Sequence, residues 1–496
     1  MLSTTKGTAL ALLLLLCAGC SGEPEPERPP ELSVLARWTF GDIDLVHEPE
    51  WVGQQALHFE EVSRPAASYR ISSTWSPLTV HAEASVPVEV AESALKTLEI
   101  SVEELQRMGW PAPLPDGGQG GTAGFDLYLT HQGDFEADAH PDKRTLWGAL
   151  DAATSFAVVD VGLSGPTGLA ASVISAYTQA LTFNLDPAES RNWRRATGSF
   201  MAWLVGGQFG ASDAVDAQQR EPWRSWIEEG VNAGEGGALL LALLSRRYDG
   251  GDGSFIRELW QFTRQNSLKW HVLRGSPDLW ETLEEMVRMA GDDFEQTMES
   301  LVLRRVFAGP TPWLVANSRQ EERLMGIRAA VPLDAEFDLR TLPVWLRAAS
   351  PAVWSYGSRY ALMRITDADT ALPVHVWLKG EYGVRWTLLA SRLEAQGQSQ
   401  GTLHTPPRNT PSAFLPIHLE PNTAMVLIAA THHGHRRPDS DVPDNSIRAV
   451  RFTIRQEAPT DAGTTGDAGT TGDAGTTGDD DDDDDADDAA VEHQPR

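Results

Sequence analysis

Between residues 88 and 108, apolar side chains recur on one helical face: Val90, Ala94, Leu95, Leu98, Ile100, Val102 and Leu105. That period predicts an amphipathic helix, and Pro87 before it suits a helix start, where a missing N–H leaves no bond unmade. Upstream, RWTFGDIDLVH and ASYRISSTW read as strands. Past the turn-rich PAPLPDGGQGGTAG, the segments 125–129 and 155–161 read as strands too. From Thr167 the pattern becomes helical, with helices expected over 167–184, 189–206, 223–247, 254–265, 277–290 and 292–307, parted by Gly, Asp and Pro breaks. Beyond Pro312 the period shifts to two. YALMRITD, PVHVWLKGE, VRWTLLASRL, TAMVLIAAT and IRAVRFTIRQ then read as strands of an antiparallel β-sandwich. The expected fold class is α+β: a mixed α/β lobe over 34–165, a helical lobe over 166–310 and a C-terminal β-sandwich over 311–457.

The two ends depart from this pattern. Lys6, the apolar run from Ala9 to Leu16 and then Cys17-Ala18-Gly19-Cys20 resemble a bacterial lipoprotein signal. The run is too short for a membrane span, which needs ~20 apolar residues. The expected arrangement is a signal peptide over 1–19, lipidation at Cys20 and a Pro/Glu tether to residue 33. The body would then be extracytoplasmic, held by its lipid to a bacterial membrane, the outer membrane or cell surface. Both cysteines lie in the signal, so the body is expected to hold no disulfide and no Cys-ligated metal.

At the other end DAGTTG occurs three times from Asp461 to Gly478, followed by seven aspartates from Asp479 to Asp485. With almost no apolar surface to bury, 458–496 is expected to stay disordered. The 496 residues carry a net charge of −30, and this tail, with thirteen acids against Arg496, holds 12 of it. The remaining body, near −18, is not expected to bind nucleic acid. Calcium binding by the aspartate run would lack a preorganised cage, and the tail is read as solvated.

Candidate chemistry centres on VISAYTQALTFNLDPAE, Val173 to Glu189. A metallopeptidase helix sets two histidines at i and i+4, where both imidazoles reach one zinc, with a Glu after the first as general base. The order of mixed sheet, buried helix and helical lobe is similar to that of the thermolysin-like (gluzincin) zinc metallopeptidases. Ser175-Ala176-Tyr177-Thr178-Gln179-Ala180-Leu181 resembles H-E-Y-T-H-A-L with its three functional letters replaced. The resemblance covers 125–250 and implies that Ser175 and Gln179 stand on the histidine positions and Ala176 on that of the base. Trp226-Ile227-Glu228-Glu229-Gly230 resembles the W-x-x-E-G segment that gives a third ligand in some relatives, which would leave Glu229 alone surviving. A hydroxyl and an amide are poor zinc ligands beside imidazole, and a methyl accepts no proton. The resemblance therefore implies a degenerate site: no catalytic residue and no stoichiometric zinc. A second reading makes the stretch a buried helix with Ser, Thr and Gln in small polar niches, and Glu228 and Glu229 first-turn acids favoured by a helix dipole.

Other chemistry is sparse. No H-E-x-x-H, H-x-x-E-H or G-x-S-x-G occurs, and the S-x-x-K match Ser93-Ala94-Leu95-Lys96 lies on the amphipathic helix. His432-His433-Gly434-His435 is a candidate for weak metal binding, weighed against a solvated loop between strands. Of 17 tryptophans, those of the helical lobe are expected in its packing, while Trp377 and Trp386 fit either the sandwich core or stacking on a sugar or peptide. Taken together these features predict an envelope lipoprotein, membrane-bound through Cys20, whose inactive peptidase-like core binds or scaffolds a peptide, an envelope protein or a glycan. The alternatives are an active hydrolase with an unrecognised metal site and an adhesion or display module using the sandwich.

Overall fold

The computed structural model describes residues 62–147, 150–227, 234–264, 277–314, 323–347, 352–366, 373–382, 384–404, 412–434 and 447–456. Cys20, the tether, Glu229, His435, the first expected strand RWTFGDIDLVH and the acidic tail lie outside the described residues. Within them the chain forms a mixed α/β N-terminal region, a helical middle and a β-rich C-terminal region.

The first region is a five-stranded sheet. Strands β1 (Tyr69–Ser72), β2 (Leu78–Ala82), β3 (Phe125–Thr130), β4 (Ala137–Trp147) and β5 (Leu150–Asp160) stand in the order β1-β2-β3-β5-β4. The pairs β2/β3 and β3/β5 are parallel, whereas the outer pairs β1/β2 and β5/β4 are antiparallel. Alternation sets the two faces. Leu78, Val80, Ala82, Phe125, Leu127 and Leu129 join the main apolar core with α1 (Val88–Arg107). Thr79, His81, Asp126 and Tyr128 take the opposite positions.

That second face is closed by charge. The Arg64 guanidinium sits 4.9 Å over the Phe156 ring and donates to Asp116 (2.8 Å), Asp126 (2.5 Å), Asp142 and the Tyr128 hydroxyl (3.2 Å). The glycine-rich connection at 116–124 folds over this cluster, and a Cβ at Gly120 would overlap the Asp126 carboxylate at 1.7 Å.

The helical region holds α2 (Val161–Thr182), α3 (Arg191–Gly206), α4 (Ser212–Arg220), α5 (Ala238–Tyr248), α6 (Ser254–Phe262), α7 (Leu279–Met289) and α8 (Phe294–Ala308). Asp160 caps α2 by accepting from the Gly162 and Leu163 amides at 2.8 Å, and the chain turns at Gly165 (φ 62°) before Pro166 restarts the helix. The expected helix over 223–247 is corrected: among the described residues of that span 223–227 are not helical, Glu235–Gly237 form a 3-10 turn and the α-helix runs from Ala238 to Tyr248. Glycine explains the loss. A Cβ at Gly234 would lie 3.0 Å from the Asn192 Cα, so the segment runs against α3 too closely for a side chain. Trp193, Trp226, Trp260 and Trp280 are buried, as packing residues should be, and the Trp260 indole donates to Thr197 (2.9 Å).

The C-terminal region has strands β6 (Ala335–Asp338), β7 (Val344–Arg347), β8 (Val353–Trp354), β9 (Ser358–Arg364), β10 (Val374–Gly380), β11 (Trp386–Leu393), β12 (Ser399–His404), β13 (Ser412–Ile417), β14 (Met425–His432), β15 (Ile447–Arg448) and β16 (Val450–Gln456). They form a five-stranded sheet β12-β11-β14-β9-β6, a four-stranded sheet β13-β10-β16-β7 and the small pair β15-β8. Pairing is antiparallel throughout except between β6 and β9. Ala361, Met363, Leu388, Ala390, Val426 and Ile428 of the first sheet share a core with Val374, Val376, Leu378, Phe452 and Ile454 of the second. The opposite face of the first sheet, with Tyr360, Leu362, Leu389, Leu427 and Ala429, packs on Val302, Val306 and Phe307 of α8. Burial on both faces is why β9 and β14 read as continuous apolar runs, whereas β10, β13 and β16 alternate.

Candidate functional site

Every residue of α2 from Ala171 to Thr182 is buried, the polar Ser172, Ser175, Thr178, Gln179 and Thr182 included. Its polar groups are met within the protein. The Gln179 amide donates to Ser175 Oγ (3.2 Å) and to the Ala137 carbonyl of β4 (3.4 Å). Thr178 bonds the Ile174 carbonyl (2.8 Å), and Tyr177 meets Phe125 edge-on at 5.1 Å between centroids. Ala176 is fully buried in the main core.

The structure brings Ser175 and Gln179 together, one turn apart, and the residue of α3 that faces them is Gly198. A Cβ there would stand 2.6 Å from Ser175 Oγ, 2.7 Å from the Ser175 carbonyl oxygen and 2.9 Å from Gln179 Cγ. Gly210 presses from another side, where a Cβ would lie 3.0 Å from Ser175 Cβ. Zinc held by two residues of α2 needs further donors and an open position beside them. Here that space is filled by helix-to-helix contact, and the residues present do not fit the metal. Among the described residues, no group of three His, Cys, Asp or Glu side chains is placed to hold a metal ion.

Trp226 is buried under the Arg305 guanidinium, 4.6 Å from its ring centroid, in a non-helical segment. Ser93 and Lys96 are exposed on α1 with no nucleophile–base geometry between them.

The histidine reading is corrected. His432 ends β14 and His433 follows it, and both are buried rather than solvated. His432 Nε2 lies 2.9 Å from the Val353 carbonyl with its ring against Trp386, whereas His433 Nε2 lies 3.1 Å from Glu299 and 3.2 Å from Thr387. Adjacent positions on an extended chain face opposite ways, so the two rings serve different contacts and share no metal position.

A polar cluster that sequence reasoning missed flanks α2 and β4. Arg195 and Glu235 form a buried ion pair, and the Arg195 guanidinium lies 3.6 Å over Phe135. Arg191, one turn earlier, stacks on the same ring at 4.5 Å and bonds Asp138. Burial and then the Glu235 charge raise the pKa of Glu136, while burial lowers that of His140 despite Asp138. Asp138, His140 and Arg191 open onto a cavity of about 610 Å³, walled also by Glu83, Phe135 and the segment 62–68. The signal was the pair of arginines four apart in RNWRR, but their partners lie far along the chain.

No family model and no curated protein matches the chain. Among solved structures, part of it is similar to CorA, a surface-associated copper-binding protein of Methylomicrobium album BG8. The identity is 8% over 26% of this chain and 100% of that one, with a TM-score of 0.18. The enzymatically active domain of bacteriophage CBA120 tailspike protein 4 matches at 9% over 23% of this chain and 18% of that one, with a TM-score of 0.16. The insecticidal delta-endotoxin Cry8Ea1 of Bacillus thuringiensis matches at 11% over 27% of this chain and 26% of that one, with a TM-score of 0.17. Overlaps this slight establish no shared fold.

Proposed function

We propose that this chain is a lipid-anchored cell-envelope protein with a thermolysin-like frame that has lost zinc chemistry, acting by binding rather than catalysis. One observation carries the reading: Gly198 closes on Ser175 and Gln179 so tightly that a single added carbon would clash, and Gly210 crowds Ser175 from another side. A site abandoned by catalysis is free to fill with packing, because no opening for water or substrate must be kept. The two C-terminal sheets with their common core are read as the β-sandwich. Binding falls to β4, at the edge of the first sheet and beside the cavity of Asp138, His140 and Arg191. A strand at the edge of a sheet can take up an extended peptide by main-chain hydrogen bonds and needs no metal.

The test is to incubate the full chain with fluorescent casein peptides, with and without a chelator, and to measure its bound metal. Retention of peptides without cleavage, and no stoichiometric zinc, is the expected result. Chelator-sensitive cleavage, or zinc released by Gln179→Ala, would refute the reading, and so would failure to retain any peptide. The anchor is tested separately: labelled palmitate should enter the wild-type chain and not Cys20→Ser.

A further inference from the structure

The outer face of the four-stranded C-terminal sheet differs in chemistry from the rest of this acidic protein. Strand register places Phe414, Trp377, Thr453 and Trp345 side by side across β13, β10, β16 and β7. All four belong to the outward set of the alternation, with Phe414 45% and Trp345 71% exposed. Trp377 and Phe414 lie 5.1 Å apart between centroids, and the Arg455 guanidinium rests 4.2 Å over the Trp377 ring. His375 pairs with Arg455 on one side of this row, and Lys379 pairs with Arg451 on the other. None of the described outward positions on these strands is Asp or Glu, in a chain of net charge −30. The exposed Glu381 follows two residues after Lys379, just past the end of β10.

We infer that this face binds an acidic glycan, a sugar chain bearing carboxylate or phosphate groups. Flat aromatic faces stack on the C–H faces of sugar rings, and the row from Phe414 to Trp345 spans about 14 Å at ordinary strand spacing. Arginine and lysine flank it on both sides, in reach of acidic substituents and suited to carboxylate and phosphate. A nucleic acid presents a charge at every nucleotide and is held by a continuous basic groove along its backbone. Here the cations form two short flanks on a surrounding body that is acidic. The chain's own acidic tail begins at residue 458, three residues after Arg455, and matches the charge, but its one aromatic ring is His493, near its far end. This inference stands on the outer sheet alone and does not depend on the fate of the zinc site.

The experiment is affinity electrophoresis of the full chain through gels containing polygalacturonate, a phosphomannan or neutral pullulan. Retardation by polygalacturonate or phosphomannan but not by pullulan is expected, and which of the two retards names the acidic group. Trp377→Ala and Arg455→Glu should each weaken it about tenfold, equal to about 1.4 kcal/mol. Arg288→Glu, at an exposed position of α7, should not. Both residues lie on the outer face, so an unchanged melting temperature is expected and confirms that folding is intact. No retardation by either acidic polymer, equal retardation by pullulan, or retention undiminished in Trp377→Ala overturns the inference. Tighter binding of a single-stranded oligonucleotide does too, as does a tenfold gain on deleting 458–496, which would make the tail the occupant.

Discussion

Gly198 brings α3 close against α2, and two atoms of Ser175 define what it tolerates. In Gly198→Ala the new methyl would meet Ser175 Oγ at 2.6 Å and the Ser175 carbonyl at 2.7 Å. Overpacking of this kind costs about 1–3 kcal/mol, which a urea midpoint reads directly. Adding Ser175→Ala removes the hydroxyl but not the carbonyl, so the double variant should recover only part of the loss. Full recovery would mean that the backbones are not in contact. Arg64 makes a second residue-scale case, holding three carboxylates whose side chains are 2%, 0% and 5% exposed. Burial opposes the Asp126 charge, yet hydrogen bonds from His81 and Arg64 hold its pKa below the usual range. Its contribution to stability is therefore present above the ordinary carboxyl value of 3.8 and lost as the pH falls. Arg64→Ala strips the acids of their shared partner, at a cost of about 3–5 kcal/mol near neutrality. The gap from wild type should narrow toward pH 4, where protonation relieves the stranded carboxylates. A gap independent of pH would refute the account.

At the scale of elements, the junction between α2 and α3 is built on carboxyls that prefer to be neutral. Asp186 and Glu189 are each pushed up to about 7, by burial first and, for Glu189, by Asp186. Because folding raises both, their contribution is complete below the ordinary values of 3.8 and 4.5 and is lost as the pH rises through about 7. Asp186→Asn with Glu189→Gln stays neutral throughout. Its urea-derived stability should fall less than the wild type's between pH 5 and pH 8, by at most about 1.4 kcal/mol per pH unit and group. Equal slopes would exclude the pair as the source. This junction also marks what was legible in the sequence. Helix α1 was, because its apolar stripe and Pro87 agree, and so was the turn at Asp186-Pro187. Strand β4 was not: its HPDKRTL stretch is polar, and only pairing with β5 makes it a strand. The buried histidines were misread as a loop because Gly434 and later prolines dominate the local signal, while Glu299 and Val353, which receive the rings, lie distant in sequence. Ser175 and Gln179 were legible as a pair; the glycine that seals them, on another helix, was not.

At the scale of the whole molecule, the helical and β-rich regions are joined through a common interior. Helix α8 gives Val302, Val306 and Phe307 to a core whose other half is the five-stranded sheet. Polar bonds repeat the connection: the Tyr360 hydroxyl donates to the Val302 carbonyl (2.6 Å), the Ser358 amide to Pro222 (2.7 Å) and the Trp354 amide to Trp223 (2.8 Å). Glu299, 3% exposed, faces His433 across the same boundary. A chain ended at residue 310 would strip the cover from these apolar side chains and leave Glu299 without His433, a loss of about 1–3 kcal/mol for that buried group alone. Exposed apolar surface of this extent drives association. The truncated chain should therefore aggregate or bind a hydrophobic dye, and the intact chain should lose helix and sheet signals in one urea transition. If residues 20–310 instead yield a soluble monomer with a sharp transition of its own, the shared interior contributes little, and the β-rich region is an appendage rather than the wall against which the helical region folds.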